Sequence, residues 1–90
     1  MSSDAAVQHD IEGRMFYIDD PAGRAYLAYL DLGKQAIDIY RTFVPDELRG
    51  RQLAAQLTAQ ALSYAAEQGY KVIPSCSYVA RYMERRDSQA

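Results

Sequence analysis

The chain has 90 residues, of which 49% are hydrophobic, and a formal charge of −2 at neutral pH. That length suits one domain rather than two, the hydrophobic share excludes a disordered chain, and no apolar run approaches the roughly 20 residues that span a bilayer. The charge offers no broad attraction to nucleic acid, whose affinity rests on many Lys and Arg contacts to phosphate, so neither nucleic acid nor a membrane is an expected partner. Cys76 is the single cysteine and forms no internal disulfide; Met1 to Asp10 lacks the basic end and apolar stretch of a secretory signal, and the expected address is the cytoplasm.

Residues 1–12 show no sustained period and are expected as a flexible tail, with Val7 to Ile11 as an alternative edge strand; residues 13–90 are expected to form the single domain. Met15-Phe16-Tyr17-Ile18 is a β-rich run, and the turn formers Asp19-Asp20-Pro21-Ala22-Gly23 stand where a hairpin needs them. The partner strand, Arg24 to Leu32, alternates in part, with Tyr26, Ala28 and Leu30 on one face and Leu27 and Tyr29 on the other. Gly33-Lys34 breaks the chain again, and Gln35 to Val44 supplies the β-branched and aromatic residues of a third strand. Short connections make these three an antiparallel meander.

From Arg51 to Gln68 the period becomes helical, with Leu53, Leu57, Ala61 and Tyr64 or Ala65 on one face, and Gly69 is a C-terminal stop. Tyr70 to Ile73 then reads as a buried strand that returns parallel to its predecessor by a right-handed crossover, ended by Pro74. Tyr78 to Arg86 reads as a short closing helix with Val79, Tyr82 and Met83 toward the core. The fold class is α+β.

The entry to the first helix inverts the usual charge pattern. Acidic residues favour a helix start because its free amides carry partial positive charge, yet Arg49 and Arg51 flank Gly50 there, and no Asp or Glu occurs between Leu48 and Ala66. A bound phosphate would satisfy amides and guanidinium groups together, and Gly50 would let it approach the backbone closely. The alternative starts the helix at Pro45, with Asp46 and Glu47 as an acidic first turn, and leaves both arginines merely solvated. Spacing alone leaves the two open.

Two stretches carry a wider likeness. Thr42-Phe43-Val44-Pro45-Asp46-Glu47-Leu48-Arg49-Gly50-Arg51, continued by Leu53-Ala54, and Val72-Ile73-Pro74-Ser75-Cys76-Ser77-Tyr78-Val79 together resemble the small GCN5-related N-acetyltransferases of the YjdJ type. The resemblance runs from Arg14 onward and implies a truncated acetyltransferase fold: antiparallel meander, pyrophosphate-binding helix, parallel strand and closing helix. It implies acetyl-CoA as co-substrate, a small amine or a peptide or protein amine as acceptor, and no metal. Main-chain groups of Thr42, Phe43 and Val44 would then meet the pantetheine arm, and Arg49, Gly50, Arg51, Gln52, Leu53 and Ala54 would hold the pyrophosphate. Cys76 is the implied reactive residue, and Tyr78, which belongs to the same motif, has three readings: packing on pantetheine, proton donor to the CoA thiolate, or a core residue at helical spacing.

Two positions depart from the family pattern. Gln52 stands where relatives have a second small residue, which narrows the approach to phosphate, and Tyr40-Arg41-Thr42 stands where relatives carry Glu-His-Thr. No histidine base transfers to this chain, whose single His is His9. Cys76 therefore has three readings: nucleophile, proton-transfer group, or inert small core residue. The function implied is acetyl-CoA-dependent N-acetyl transfer, with a non-catalytic CoA-binding or protein-interaction module as the alternative. Missing acceptor elements allow a shallow site completed by a second copy of the chain, a homodimer.

Overall fold

A computed structural model describes residues 6–88. The described elements run β1 (Gln8–Asp10), β2 (Met15–Asp20), β3 (Gly23–Gly33), β4 (Ala36–Phe43), α1 (Leu53–Gln68), β5 (Lys71–Pro74) and α2 (Ser77–Ser88), with a single 3-10 turn at Asp46–Leu48. They make one five-stranded sheet in the order β1-β2-β3-β4-β5, antiparallel from β1 to β4 and parallel between β4 and β5. The meander thus gains a fourth antiparallel strand at its edge, because Gln8–Asp10 pairs with Met15–Tyr17. Met1 to Ala5, the remainder of the expected tail, lie outside the described residues.

Local chemistry explains the turns. Asp20 accepts the Ala22 amide at 2.9 Å to fold the β2–β3 hairpin, and Asp31 accepts the Gly33 amide at 2.8 Å before Lys34 and Gln35 pass through left-handed backbone. Gly69 closes α1 in the left-handed conformation that favours glycine (φ 74°), while the Tyr70 amide reaches back to Ala65 at 2.8 Å. Among the described residues no helix is long and apolar enough to cross a membrane.

Both helices cover the same face of the sheet. Phe16, Ile18, Leu27, Tyr29, Ile37 and Ile39 point into a core filled from above by Leu53, Leu57, Ala61, Leu62 and Ala65 of α1 and by Val79 of α2. Tyr82 and Met83 pack at its margin, and Thr58, unforeseen from the period, is fully buried within it. Tyr26, Ala28 and Leu30 occupy the opposite face, which no helix covers; Leu30, Tyr40 and Phe43 remain 48%, 47% and 41% exposed.

β3 and β4 are joined through a bulge. Ala28 lies opposite Arg41 but Tyr29 lies opposite Ile39, so Tyr40 is an extra residue in β4, and the strand bends there. On its other side β4 pairs with β5 only from Ala36 to Ile39; Pro74, the last residue of β5, has no N–H to extend the ladder. The two strands then diverge into a fork.

His9 ties the edge strand to the core. Its ring stacks on Phe16 at 3.9 Å between centroids and meets Tyr64 edge-on at 4.5 Å, while Nε2 lies 2.7 Å from the Tyr29 hydroxyl. Burial lowers the His9 pKa from 6.5, against a smaller opposing pull from Asp10, and burial also pushes Tyr29 up to about 12. The fold therefore prefers neutral His9, whereas the unfolded chain binds a proton near 6.5. Stability is complete above that pH and falls as pH drops below it. We expect urea midpoints to decline from pH 7 to pH 5 and His9→Phe to flatten the decline; an equal slope in both proteins would assign it to other groups.

Candidate active site

The loop between β4 and α1 is built around two left-handed residues. Pro45 precedes the 3-10 turn of Asp46–Leu48, so the acidic pair falls in the first turn of that short element and not of α1. The long helix starts at Leu53, two residues later than Arg51 and well after Pro45, because Gly50 (φ 88°) and Gln52 (φ 60°) both leave helical backbone. Gln52 is the N-cap, its side chain makes no cap hydrogen bond, and the first turn holds no acidic residue. The opening amides of α1 thus lack intrahelical acceptors and face the loop.

These residues enclose a space. Val44, Leu48, Arg49, Gly50, Gln52, Leu53 and Ala54 line an open cavity of about 160 Å³ at the helix start. Leu48 was not foreseen there; the clue was an apolar side chain just ahead of the Arg-Gly-Arg run. Thr42, Phe43 and Arg51 stand outside this lining: Phe43 is on the open sheet face beside Tyr26, at 5.6 Å between centroids, and Thr42 is at the fork.

Neither arginine is without a counter-charge. Arg49 reaches Asp46 at 3.2 Å, and Arg51 reaches Asp20 of the β2–β3 hairpin at 3.2 Å. The absence of downstream acid in the sequence therefore does not leave these guanidinium groups alone; upstream acids answer them. Such exposed pairs contribute only about 0–1 kcal/mol, so neither carboxylate holds its guanidinium group tightly.

Cys76 lies at the mouth of the fork. Its amide donates to the Ile39 carbonyl at 2.9 Å, which fixes it against β4 just where the β4–β5 ladder ends, and its carbonyl accepts the Ala80 amide at 3.0 Å. It is therefore the residue on which α2 begins. Its Sγ is 3.5 Å from the Thr42 hydroxyl oxygen. Burial raises the thiol pKa, but hydrogen bonds from the Thr42 side chain and the amides of Val79, Tyr78 and Thr42 outweigh it, and the net direction is down.

The sequence does not foretell the Thr42 contact, since the two residues are 34 apart and only the fork brings them together. Tyr78 packs against the margin of the core with its ring 6.4 Å from that of Tyr82, and burial raises its pKa. Its amide serves Cys76, while its hydroxyl stays protonated through the neutral range.

The assembly of an open cavity at a helix start, a bulged strand beside a forked parallel pair and a thiol at the fork can be compared with known proteins. Residues 15–90 match the family model described as GCN5-related N-acetyl-transferase. The chain belongs to the GCN5-related N-acetyltransferase family. Protein NATD1 of Xenopus tropicalis is 34% identical over 85 residues, covering 92% of this chain and 78% of its own. Protein NATD1 of Homo sapiens is 35% identical over 80 residues, covering 87% and 71%. The solution structure of a GCN5-like protein from Staphylococcus aureus superposes with a TM-score of 0.73 at 30% identity, over 97% of this chain and 85% of that one. The five-stranded mixed sheet with two helices is thus a small version of the acetyltransferase domain.

Two outcomes follow from the geometry. Gly50→Ala meets no steric neighbour but forces φ 88° on a side chain, so urea denaturation should show a loss of about 1 kcal/mol. Iodoacetamide labelling of Cys76 should have its rate–pH midpoint below that of an ordinary cysteine, and Thr42→Val should move it upward. An unmoved midpoint would show that the hydroxyl does not stabilise the thiolate.

Proposed function

We propose that this chain is an acetyl-CoA-dependent N-acetyltransferase in which Cys76 carries the acetyl group between the two substrates. In this reading the pyrophosphate sits at the start of α1, against the amides from Gly50 to Ala54 and the Arg49 and Arg51 guanidinium groups. The pantetheine arm follows the main chain of Thr42 to Val44, which β5 leaves unpaired beyond the fork. The observation that carries the reading is the placing of Cys76: a thiol of lowered pKa, held by Thr42 at 3.5 Å, at the point where that path ends.

The chemistry is balanced with the groups present. The Cys76 thiolate attacks the thioester carbonyl, the carbon–sulfur bond to CoA breaks, and CoA leaves as a thiolate that takes up a proton. A neutral amine then attacks acetyl-Cys76, the second carbon–sulfur bond breaks, and the amine proton passes to water as the thiolate is restored. The start of α2 serves both steps, since its amides stabilise the thiolate that attacks first and leaves last.

Gln52 holds a left-handed conformation that glycine adopts without strain, and its side chain stands over the cavity it lines. Gln52→Gly should therefore tighten acetyl-CoA, measured as a larger rise in melting temperature at fixed ligand. Arg49→Ala should reduce that rise by removing a charge-assisted contact. No rise in the wild type at millimolar acetyl-CoA would defeat the reading. Intact-mass spectrometry after mixing with acetyl-CoA should show one added acetyl group, absent in Cys76→Ala.

A further inference from the structure

The bare face of the sheet is not the polar surface that an antiparallel sheet normally turns to water. Among the described residues five large apolar side chains are well exposed, and four of them, Leu30, Leu32, Tyr40 and Phe43, belong to β3 and β4. The fifth, Ile11, stands on the loop between β1 and β2. Three charges share the bare face and find no ion pair among the described residues: Arg41 over the Tyr26 ring, Asp38 opposite Leu30, and Lys71 of β5 beside Ala36. Asp38 is half-buried, with Oδ1 covered, so it meets a partner through the field of its charge more than through that oxygen.

The order of large, small and charged residues along β3 and β4 is self-complementary about one level, where Tyr29 pairs with Ile39. On one side of that level come Ala28 opposite Arg41 and then Tyr26 opposite Phe43. On the other side come Leu30 opposite Asp38 and then Leu32, the bulged residue of β3, next to Gly33 opposite Ala36. A two-fold axis that crosses the strands at this level, in the plane between two sheets, lays each side of one copy over the other side of its mate. Leu30 then stands over the small Ala28 of the second copy, and Phe43 over its Ala36. Tyr26 meets Leu32, and Arg41 meets Asp38. Every projecting side chain finds a small or flexible one, and the unpaired cation of β4 finds the unpaired anion.

We propose that the bare face binds a second copy of this chain, giving a two-fold dimer in which β3 and β4 pack on β3 and β4. Both helices and the cavity at the start of α1 lie on the outer side of each copy and stay open, so the dimer stands apart from the transferase reading. Strands of 11 and 8 residues, at the usual spacing and rise, present on the order of 400 Å² per copy. That is below the ~800 Å² per partner of a standard interface, and it suits a reversible dimer that forms in the upper micromolar range.

Isotope-filtered NOE spectroscopy on an equal mixture of carbon-13-labelled and unlabelled full chain at millimolar concentration tests the axis itself. It should show contacts from Phe43 to Ala36 and from Tyr26 to Leu32. The extended strand holds each of these pairs about 20 Å apart within one copy, so such contacts arise only between copies. Sedimentation equilibrium should give an average mass that climbs toward twice that of the chain as concentration rises. Leu30→Glu, at an exposed position, should weaken association at least tenfold, and Arg41→Glu should weaken it by setting like charges together. Ile11→Glu, equally exposed and apolar but off the face, should leave it unchanged. A chain that stays monomeric at millimolar concentration, association untouched by Leu30→Glu, or filtered contacts confined to other residues would each overturn the proposal, the first by leaving the face to a different partner.

Discussion

The parallel pairing of β4 with β5 stops after four residues, and most of what is distinctive in this molecule depends on that stop. Pro74 has no amide with which to continue, and the bulge at Tyr40 bends β4 at the same level. One hydrogen bond, from the Cys76 amide to the Ile39 carbonyl, then holds the two strands at the base of the fork. It fixes where α2 begins, and so places a thiol against Thr42. It also leaves the main chain of Phe43 and Val44 without a β5 partner, next to the start of α1.

The two faces of the sheet differ in what covers them. Both helices pack on one side of the sheet because the single crossover and the closing helix share one core, with Val79 of α2 buried against the same side chains as Leu53 and Leu57 of α1. The other side keeps an aromatic and charged surface of Tyr26, Arg41 and Phe43 that no element among the described residues covers.

Elements set by local pattern were legible in the sequence. The 3.6-residue period from Leu53 to Ala65, the stop at Gly69 and the turn formers between β2 and β3 each act within a few residues, and the structure follows them. What the sequence hid was set by distant contacts. His9 lies within the alternative edge strand of Val7 to Ile11, but its contacts with Phe16, Tyr29 and Tyr64 are announced by no period in residues 1–12. Arg51 has a counter-charge 31 residues away, and Thr42 meets Cys76 across the fork. The helix start was misjudged by two residues because Gln52 takes a left-handed conformation that its residue type does not advertise. Local chemistry thus marked the region of the cavity, while tertiary packing decided which side chains complete it.

In the proposed complex a CoA thioester lies along β4 beyond Ile39 with its pyrophosphate at the start of α1. Amide chemical-shift mapping with nitrogen-15 label tests it most directly. On addition of CoA, the largest shifts should form one continuous track from Thr42–Val44 through Gly50–Ala54 to Cys76, with the sheet edge at β1 unmoved. Shifts centred on β1 and β2, or none at millimolar CoA, would contradict it.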